Sequence, residues 1–303
     1  MLYVDRVHLH AAYCSSRSTP RKARKTHGLR QAWTPCKYLL ARTHSTHRLR
    51  TDSTDVNVIT FTSATGNNLS TAEQVMRETT GRGVALNFSD APDCGAVARA
   101  RSLGIPSLIC DARYIQQVGT GRITAQQEYH DDVRDYLHRW ESWNGKIDLI
   151  VLAYHRIIRG SLLSEYAGRM INQHPGDLRR KLGDGTRQLV GMSAVKLAHD
   201  QGIDHTRTST FLVNSGIDQG PLLAVGPAVS FATRPRELLE PEYLKQHENR
   251  QKKESDKPAL EWVLRSFLSG ELSFHGYDVD NYQPYLNGAP MHDPHVIEEA
   301  SSK

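Results

Sequence analysis

Four apolar, β-rich runs separated by helix-sized segments constrain this chain more than any other feature. They read "DVNVITFT" (55–62), "GVALNFSD" (83–90), "IPSLIC" (105–110) and "KIDLIVLAY" (146–154). A strand covered on both faces shows nearly continuous apolar character in place of strict alternation. Between these runs the spacing turns helical: Ala96, Val97, Ala100 and Leu103 share one face over 96–103. Strands alternating with amphipathic helices call for right-handed crossovers and a parallel sheet. The expected fold is α/β, a Rossmann-like open, mostly parallel sheet with helices on both faces.

Further along come "RMINQH" (169–174), a helix near 189–201 closed by Gly202, and two strands, "TSTFLV" (208–213) and "PLLAVGPAVSF" (221–231). Residues 245–257 are a charge run, most simply a solvated helix or loop. Leu260, Val263, Leu264, Phe267 and Leu268 then fall at i, i+3, i+4, i+7 and i+8, marking a packed helix. Asp256 and Pro258 suit its first turn, and Gly270 stops it. No internal repeat is visible.

Composition removes several classes. No apolar run approaches the ~20 residues of a membrane helix; the best is "IVLA" (150–153). Cys14, Cys36, Cys94 and Cys110 form no CxxC and no ligand-like spacing with His, so neither a structural zinc site nor a disulfide framework is expected. The net charge of +5 is local: residues 1–50 hold eleven Lys or Arg against one acid, Asp5. The remainder is mildly acidic, which argues against nucleic acid as a partner. Residues 1–50 read as a transit-like presequence, a disordered tail, or translated sequence upstream of the true start.

Ligands of an open parallel sheet bind beyond the carboxyl ends of its strands, and three features fall there. In "TSATGNNLS" (62–70), Thr65, Gly66, Asn67 and Asn68 lead into a helix. They either offer backbone N–H groups to an anion or simply make the turn. In "MINQHPGDL" (170–178), Asn172 and His174 project from one strand face, ~6.5 Å apart along the axis. Pro175 then takes the chain out of the ladder. The two are a catalytic pair or a strand-end His satisfied by backbone. In "NSGIDQGPLL" (214–223), Asp218 lies between Gly216 and Gly220, where an Asp usually makes an Asx-turn.

Taken together, in this order and setting, the three features resemble the folate-dependent formyltransferases, with the glycinamide ribonucleotide branch the nearest likeness. "SATGNNL" (63–69) is similar to that family's S-G-x-G-S-N-L, and "LAYHRII" (152–158) looks like L-A-G-[FY]-M-R-I-L. "YAGRMINQHPGDL" (166–178) resembles Y-x-G-x-x-[IL]-N-I-H-P-S-L-L, and "DQGPLL" (218–223) resembles D-x-G-P-[IV]-[IL]. The family's Gly nine residues past the His is matched by Gly183. The likeness spans about 55–275, a catalytic domain, with 1–54 as a basic leader and 276–303 as a C-terminal tail.

The resemblance implies a role for each matched residue. Asn172, His174 and Asp218 become the catalytic set, with no metal and no covalent intermediate. His155, Arg156, Ile157, Ile158, Asn214 and Gly216 would hold the folate. Thr65, Gly66, Asn67 and Asn68 would hold the acceptor's phosphate. The implied reaction moves a formyl group from 10-formyltetrahydrofolate to an amine. Protonated His174 and the Asn172 amide would bind the oxyanion, while Asp218 raises the imidazole pKa and helps move the amine proton.

Departures from the pattern bear on the acceptor. Ala64 replaces the loop's first Gly and Asn67 its Ser. "YHRII" is one residue short, with His155 for Met, and "GDLR" stands for S-L-L-P after Pro175. Gln127 occupies the place of a folate-holding Arg. The expected partners are a reduced folate and a small-molecule amine, without nucleic acid or membrane, for a monomer or homodimer. The setting expected is cytoplasmic, or organellar if residues 1–50 are a transit peptide.

Two neighbouring activities keep the same site: a formyltetrahydrofolate hydrolase using water, and an amino-sugar N-formyltransferase. The hydrolases usually carry a regulatory domain ahead of the catalytic one, for which residues 1–54 are too short. Initiator-tRNA formylation is set aside because "HDPHVIEEASSK" (292–303) is short and acidic. An inactive folate-binding descendant is opposed by retention of all three catalytic residues.

Overall fold

The computed structural model describes residues 37–39, 56–113, 115, 121–235 and 237–298. The alternation seen in the sequence becomes β1 (Lys37–Leu39), β2 (Val58–Thr62), α1 (Asn67–Thr80), β3 (Leu86–Ser89), α2 (Gly95–Ser102), β4 (Ser107–Ile109), α3 (Arg122–Asn144), β5 (Leu149–Ala153), α4 (Ser161–Glu165) and β6 (Met170–His174). Then follow α5 (Ala194–Asp200), β7 (His205–Thr206), β8 (Ser209–Leu212), β9 (Leu222–Val225), β10 (Val229–Ser230), α6 (Glu240–Gln251) and α7 (Lys257–Leu268). The chain closes with β11 (Leu272–His275), β12 (Gln283–Leu286), β13 (Ala289–Pro290) and β14 (His295–Val296).

Nine strands form one sheet in the order β1-β4-β3-β2-β5-β6-β8-β9-β14. The block from β4 to β6 is parallel, and β8 runs antiparallel to both β6 and β9. Every residue of β2 and β3 is buried, as a strand covered on both faces requires. On one face Ile59, Phe61, Ile150 and Leu152 pack with Tyr129, Val133 and Leu137 of α3 and Leu162 of α4. On the other, Val58, Leu149, Val151 and Ile171 meet Leu69, Val75 and Met76 of α1 and Leu260, Val263 and Leu264 of α7.

Several boundaries differ from the sequence reading, each for a physical reason. The run 221–231 breaks into β9 and β10, which belong to different sheets. At the break a Cβ on Gly226 would lie 2.3 Å from the Ser255 carbonyl oxygen, and Pro227 has no N–H for the ladder. The helix expected near 189–201 shrinks to α5 because residues 187–191 run along the site described below. The charge run is not simply solvated: His247, Gln251 and Ser255 are buried, and residues 252–256 form a π-helical turn joining α6 to α7. The segment read as a tail supplies β12, β13 and β14, the last adding to the main sheet beside β9. Cys110, buried where β4 ends, is disulfide-bonded, where the sequence led to no disulfide framework being expected. Among the described residues no helix is long and apolar enough to cross a membrane.

Candidate active site

Parallel neighbours β2, β5 and β6 bring Thr62, Ala153 and His174 to one edge of the sheet. Strand order reverses between β2 and β5, with β3 and β4 on one side and β6 on the other; such a reversal opens a crevice at the carboxyl ends. The two exits are tied together. Ser63 N–H donates to the Ala153 carbonyl at 3.1 Å, and His155 N–H donates to Ser63 Oγ at 3.1 Å.

Alternation along β6 puts Asn172 and His174 on one face and Gln173 on the other. His174 is 5% exposed. Its Nε2 lies 2.6 Å from the Leu189 carbonyl oxygen. A carbonyl can only accept, so Nε2 carries the proton. Nδ1 is then the nitrogen facing Asp218, 3.4 Å from Oδ2. Burial pulls the imidazole below its ordinary 6.5, with Arg187 adding to the fall, while Asp218 and the Leu189 bond oppose it. Asp218 thus acts on the imidazole in the expected sense, and desolvation acts against it.

Asp218 takes a left-handed conformation, φ 54°, and its Oδ2 accepts the Gly191 N–H at 2.9 Å. The Asx-turn in this loop belongs to Asn214, whose Oδ1 accepts the Gly216 N–H at 3.1 Å. Gly220 has no alternative, since a Cβ would sit 1.6 Å from the Leu212 carbonyl oxygen. Arg187 closes the loop from outside, its guanidinium donating to the carbonyls of Asp218 and Gly220, the latter at 2.8 Å. On the far side Asp280 Oδ1 accepts both the N–H and the hydroxyl of Ser215, at 3.0 and 2.7 Å.

Arg187, Leu189 and Gly191 come from one short strap. A hairpin precedes it, with Gln188 N–H on the Arg180 carbonyl at 3.0 Å and Leu182 N–H on that of Thr186 at 2.8 Å. Gly183, matched to the family by spacing, lies exposed at the hairpin tip; the glycine that meets Asp218 is Gly191. Gly176, part of the divergent "GDL", makes room for the strap. A Cβ there would be 2.6 Å from the Leu189 carbonyl oxygen and 3.0 Å from the His174 ring. The sequence marked Gly176 only as part of a departure from the family pattern and did not single out Arg187, Leu189 or Gly191, since backbone contacts leave little signature to find.

The residues expected to hold folate divide. His155, Arg156 and Ile157 line a cavity of about 450 Å³, together with Asp90, Arg122 and Arg159. Arg156 Nε donates to Asp90 Oδ2 at 2.6 Å, the pair almost wholly enclosed, and Asp90 Oδ1 has no protein partner. Ile158 is instead buried in the core against α3 and α4. Asn214 and Gly216 belong to the Asp218 loop. Gln127 does not line the cavity; Gln126 does, donating to the Ile157 carbonyl at 2.8 Å.

Ahead of α1, Gly66 is left-handed at φ 77° and no side chain caps the helix. The first-turn N–H groups therefore lack a side-chain acceptor. Thr65 and Asn67 are exposed and Asn68 half-buried. The loop is wedged against α2, with Ala96 N–H on the Ala64 carbonyl at 2.8 Å. Among the described residues no group of three or more His, Cys, Asp or Glu is placed to hold a metal ion.

Known proteins bear on this arrangement in two ways. The phosphoribosylglycinamide formyltransferase of Bacillus subtilis (strain 168) is 27% identical over 166 residues, covering 54% of this chain and 74% of that protein. Its counterpart from Coxiella burnetii superposes with a TM-score of 0.60 at 20% identity, over 80% of this chain and 99% of that one. A formyltetrahydrofolate deformylase from Pseudomonas syringae pv. tomato superposes with a TM-score of 0.55 at 18% identity, over 78% of this chain and 67% of that one. At such identities the two structures speak for the fold alone. The sequence pattern of the formyl transferase family matches residues 56–249, taking in β2, the His174 strand, the strap and the Asp218 loop. With its parallel sheet, reversal crevice and His–Asp pair inside that span, the chain belongs to the formyl transferase family.

Proposed function

We propose that the chain transfers the formyl group of 10-formyltetrahydrofolate to a small amine of the glycinamide ribonucleotide type, with His174, Asp218 and Asn172 as catalytic residues. The observation carrying this reading is the buried His174–Asp218 pair at the carboxyl end of β6, with Asn172 on the same face. The amine nitrogen attacks the formyl carbon, and the carbonyl electrons move onto oxygen. The Asn172 amide donates to that oxygen. Neutral His174 takes the amine proton at Nδ1, where Asp218 steadies the resulting imidazolium. Collapse of the intermediate breaks the bond to the folate nitrogen, which receives the proton.

The donor is placed in the cavity beside His155, Arg156 and Ile157, where Arg122 and Arg159 suit its acidic tail. The acceptor's phosphate is placed at Thr65–Asn68, on the α1 N–H groups. A catalytic unit beginning near residue 55 is part of the same reading, supported by a family match that starts at 56.

The test is incubation with 10-formyltetrahydrofolate, with and without glycinamide ribonucleotide, following tetrahydrofolate release. Release that depends on the amine is expected. Equal release without amine makes the protein a hydrolase, and no release with folate bound overturns the enzymatic reading.

A further inference from the structure

Every bond that holds the His174–Asp218 pair and its turn from the strap side comes from residues 187–191. Leu189 offers its carbonyl to His174, Gly191 offers its N–H to the Asp218 carboxylate, and Arg187 grips the turn itself. Leu189 and Gly191 act through backbone and reveal nothing by side chain. Arg187 is different. Its planar fork spans the carbonyls of Asp218 and Gly220, two residues apart in a turn that already carries a left-handed non-glycine residue. Such a conformation persists only where its surroundings over-determine it, and a guanidinium satisfies paired carbonyls in a way a single ammonium does not. Neighbouring Gly220 lies so near Leu212 that a Cβ there would sit 1.6 Å from its carbonyl oxygen.

Accordingly, we propose that Arg187 is a positioning residue that locks the Asp218 turn in its reactive geometry beside His174. The inference rests on the catalytic reading of that pair. The charged groups facing His174 are Asp218 from the β8–β9 loop and Arg187 from the strap, and they act in opposite senses. Asp218 draws a proton towards the imidazole, and Arg187 repels it. Half-buried Arg187 has the Asp218 carboxylate as the charge that favours its own ionised form. The hairpin of residues 180–188 is what delivers the guanidinium to this position.

Arg187→Met and Arg187→Lys separate geometry from charge. For the Met variant, kcat should fall on the order of 10- to 100-fold, with KM for 10-formyltetrahydrofolate within about twofold. The His174 midpoint, followed by NMR titration of its imidazole, should rise as the opposing positive charge is removed. The Lys variant should restore the midpoint and recover only part of kcat. A Met variant with wild-type kcat and midpoint overturns the proposal, as does a rise in KM alone. The titration needs no turnover. If His174→Ala remains active while Arg187→Met still moves the midpoint, the catalytic reading fails and the Arg187 proposal stands. If His174→Ala is inactive and the midpoint does not move, the Arg187 proposal alone fails.

Discussion

The two faces of β6 handle buried titratable groups in opposite ways. On the site face stand His174 and Asp218, held by strap backbone and facing one another at 3.4 Å. Behind the strand, Gln173 Nε2 donates to Thr210 Oγ1 at 3.0 Å and to the Asp256 carbonyl at 2.8 Å. Next to it runs a one-directional relay. His247 Nε2–H donates to Thr206 Oγ1, and Thr206 donates to Gln251 Oε1. Gln251 Nε2–H donates to Thr208 Oγ1, which donates to Asp256 Oδ1. Burial favours the neutral form throughout, pulling His174 down, His247 down to about 4 and Asp256 up to about 6. What separates the faces is the partner. The rear relay occupies its protons with hydroxyls and amides, which stiffens a core. The front sets a carboxylate against the imidazole nitrogen that carries no proton, the pairing on which the proposed proton transfer rests.

The largest expected effect breaks the front face. His174→Ala or Asp218→Asn should lower formyl transfer on the order of 1,000-fold or more. Folate binding and the melting temperature should stay close to wild type. Near-normal turnover in either purified variant would remove both from the chemistry. The rate should also follow the neutral form of His174, rising with pH through a midpoint below 6.5 and then levelling off. A midpoint above 7 would restore protonated His174 as the working form.

An intermediate effect tests the interior. His247 and His130 both have midpoints lowered by burial to about 4. The unfolded chain therefore binds more protons than the folded one between about pH 6.5 and 4, and stability is lost as pH falls through that window. Asp256 has the opposite sign, since its raised midpoint makes the folded state gain stability as pH falls from about 6 to 3.8. Two histidines against one carboxyl give a net loss in acid. His247→Gln should flatten the pH dependence of the melting temperature by about 2–4 °C between pH 7 and 5, and Asp256→Asn should steepen it. Identical curves for His247→Gln and wild type would show that the rear face does not titrate.

The sequence made some layers of this molecule legible and hid others. Largely apolar runs identified β2, β3, β4 and β5 because burial on both faces leaves few polar positions, and buried Thr60 and Thr62 of β2 donate to Asn87 of β3. Asn172, His174 and Asp218 were visible because the motifs that carry the family resemblance are written in particular side chains. Arg187, Leu189 and Gly191 were hidden because their task is done mainly by geometry and backbone, which many sequences provide. Spacing drew attention to Gly183, which lies exposed in the hairpin, and gave no sign that Gly191 is the glycine whose N–H meets Asp218. It misled in the charge run 245–257, where His247, Gln251 and Ser255 face inward and an expected solvated surface is half a core. Asp90 ended a strand run without any visible partner, because Arg156 lies 66 positions away.

The smallest effect sharpens the comparison most. Gln173 stands where the family pattern N-I-H-P has an apolar residue, and its Oε1 is buried without a hydrogen-bond partner. An unmet buried acceptor costs on the order of 1–3 kcal/mol, which offsets what its two donor bonds contribute. Gln173→Ile removes the orphan together with those bonds. It adds β-branched bulk beside Ile171 and Leu212 on the α7 face and leaves the Asp256 carbonyl one donor short. The opposing terms are of similar size, so stability should change by about 1 kcal/mol or less in urea unfolding. Turnover should stay within about twofold, because the side chain points away from Asn172 and His174. A tenfold fall in kcat at unchanged stability would mean that the rear network sets the position of the β6 backbone under His174. The two faces would then be one device, with Asp256 part of the site.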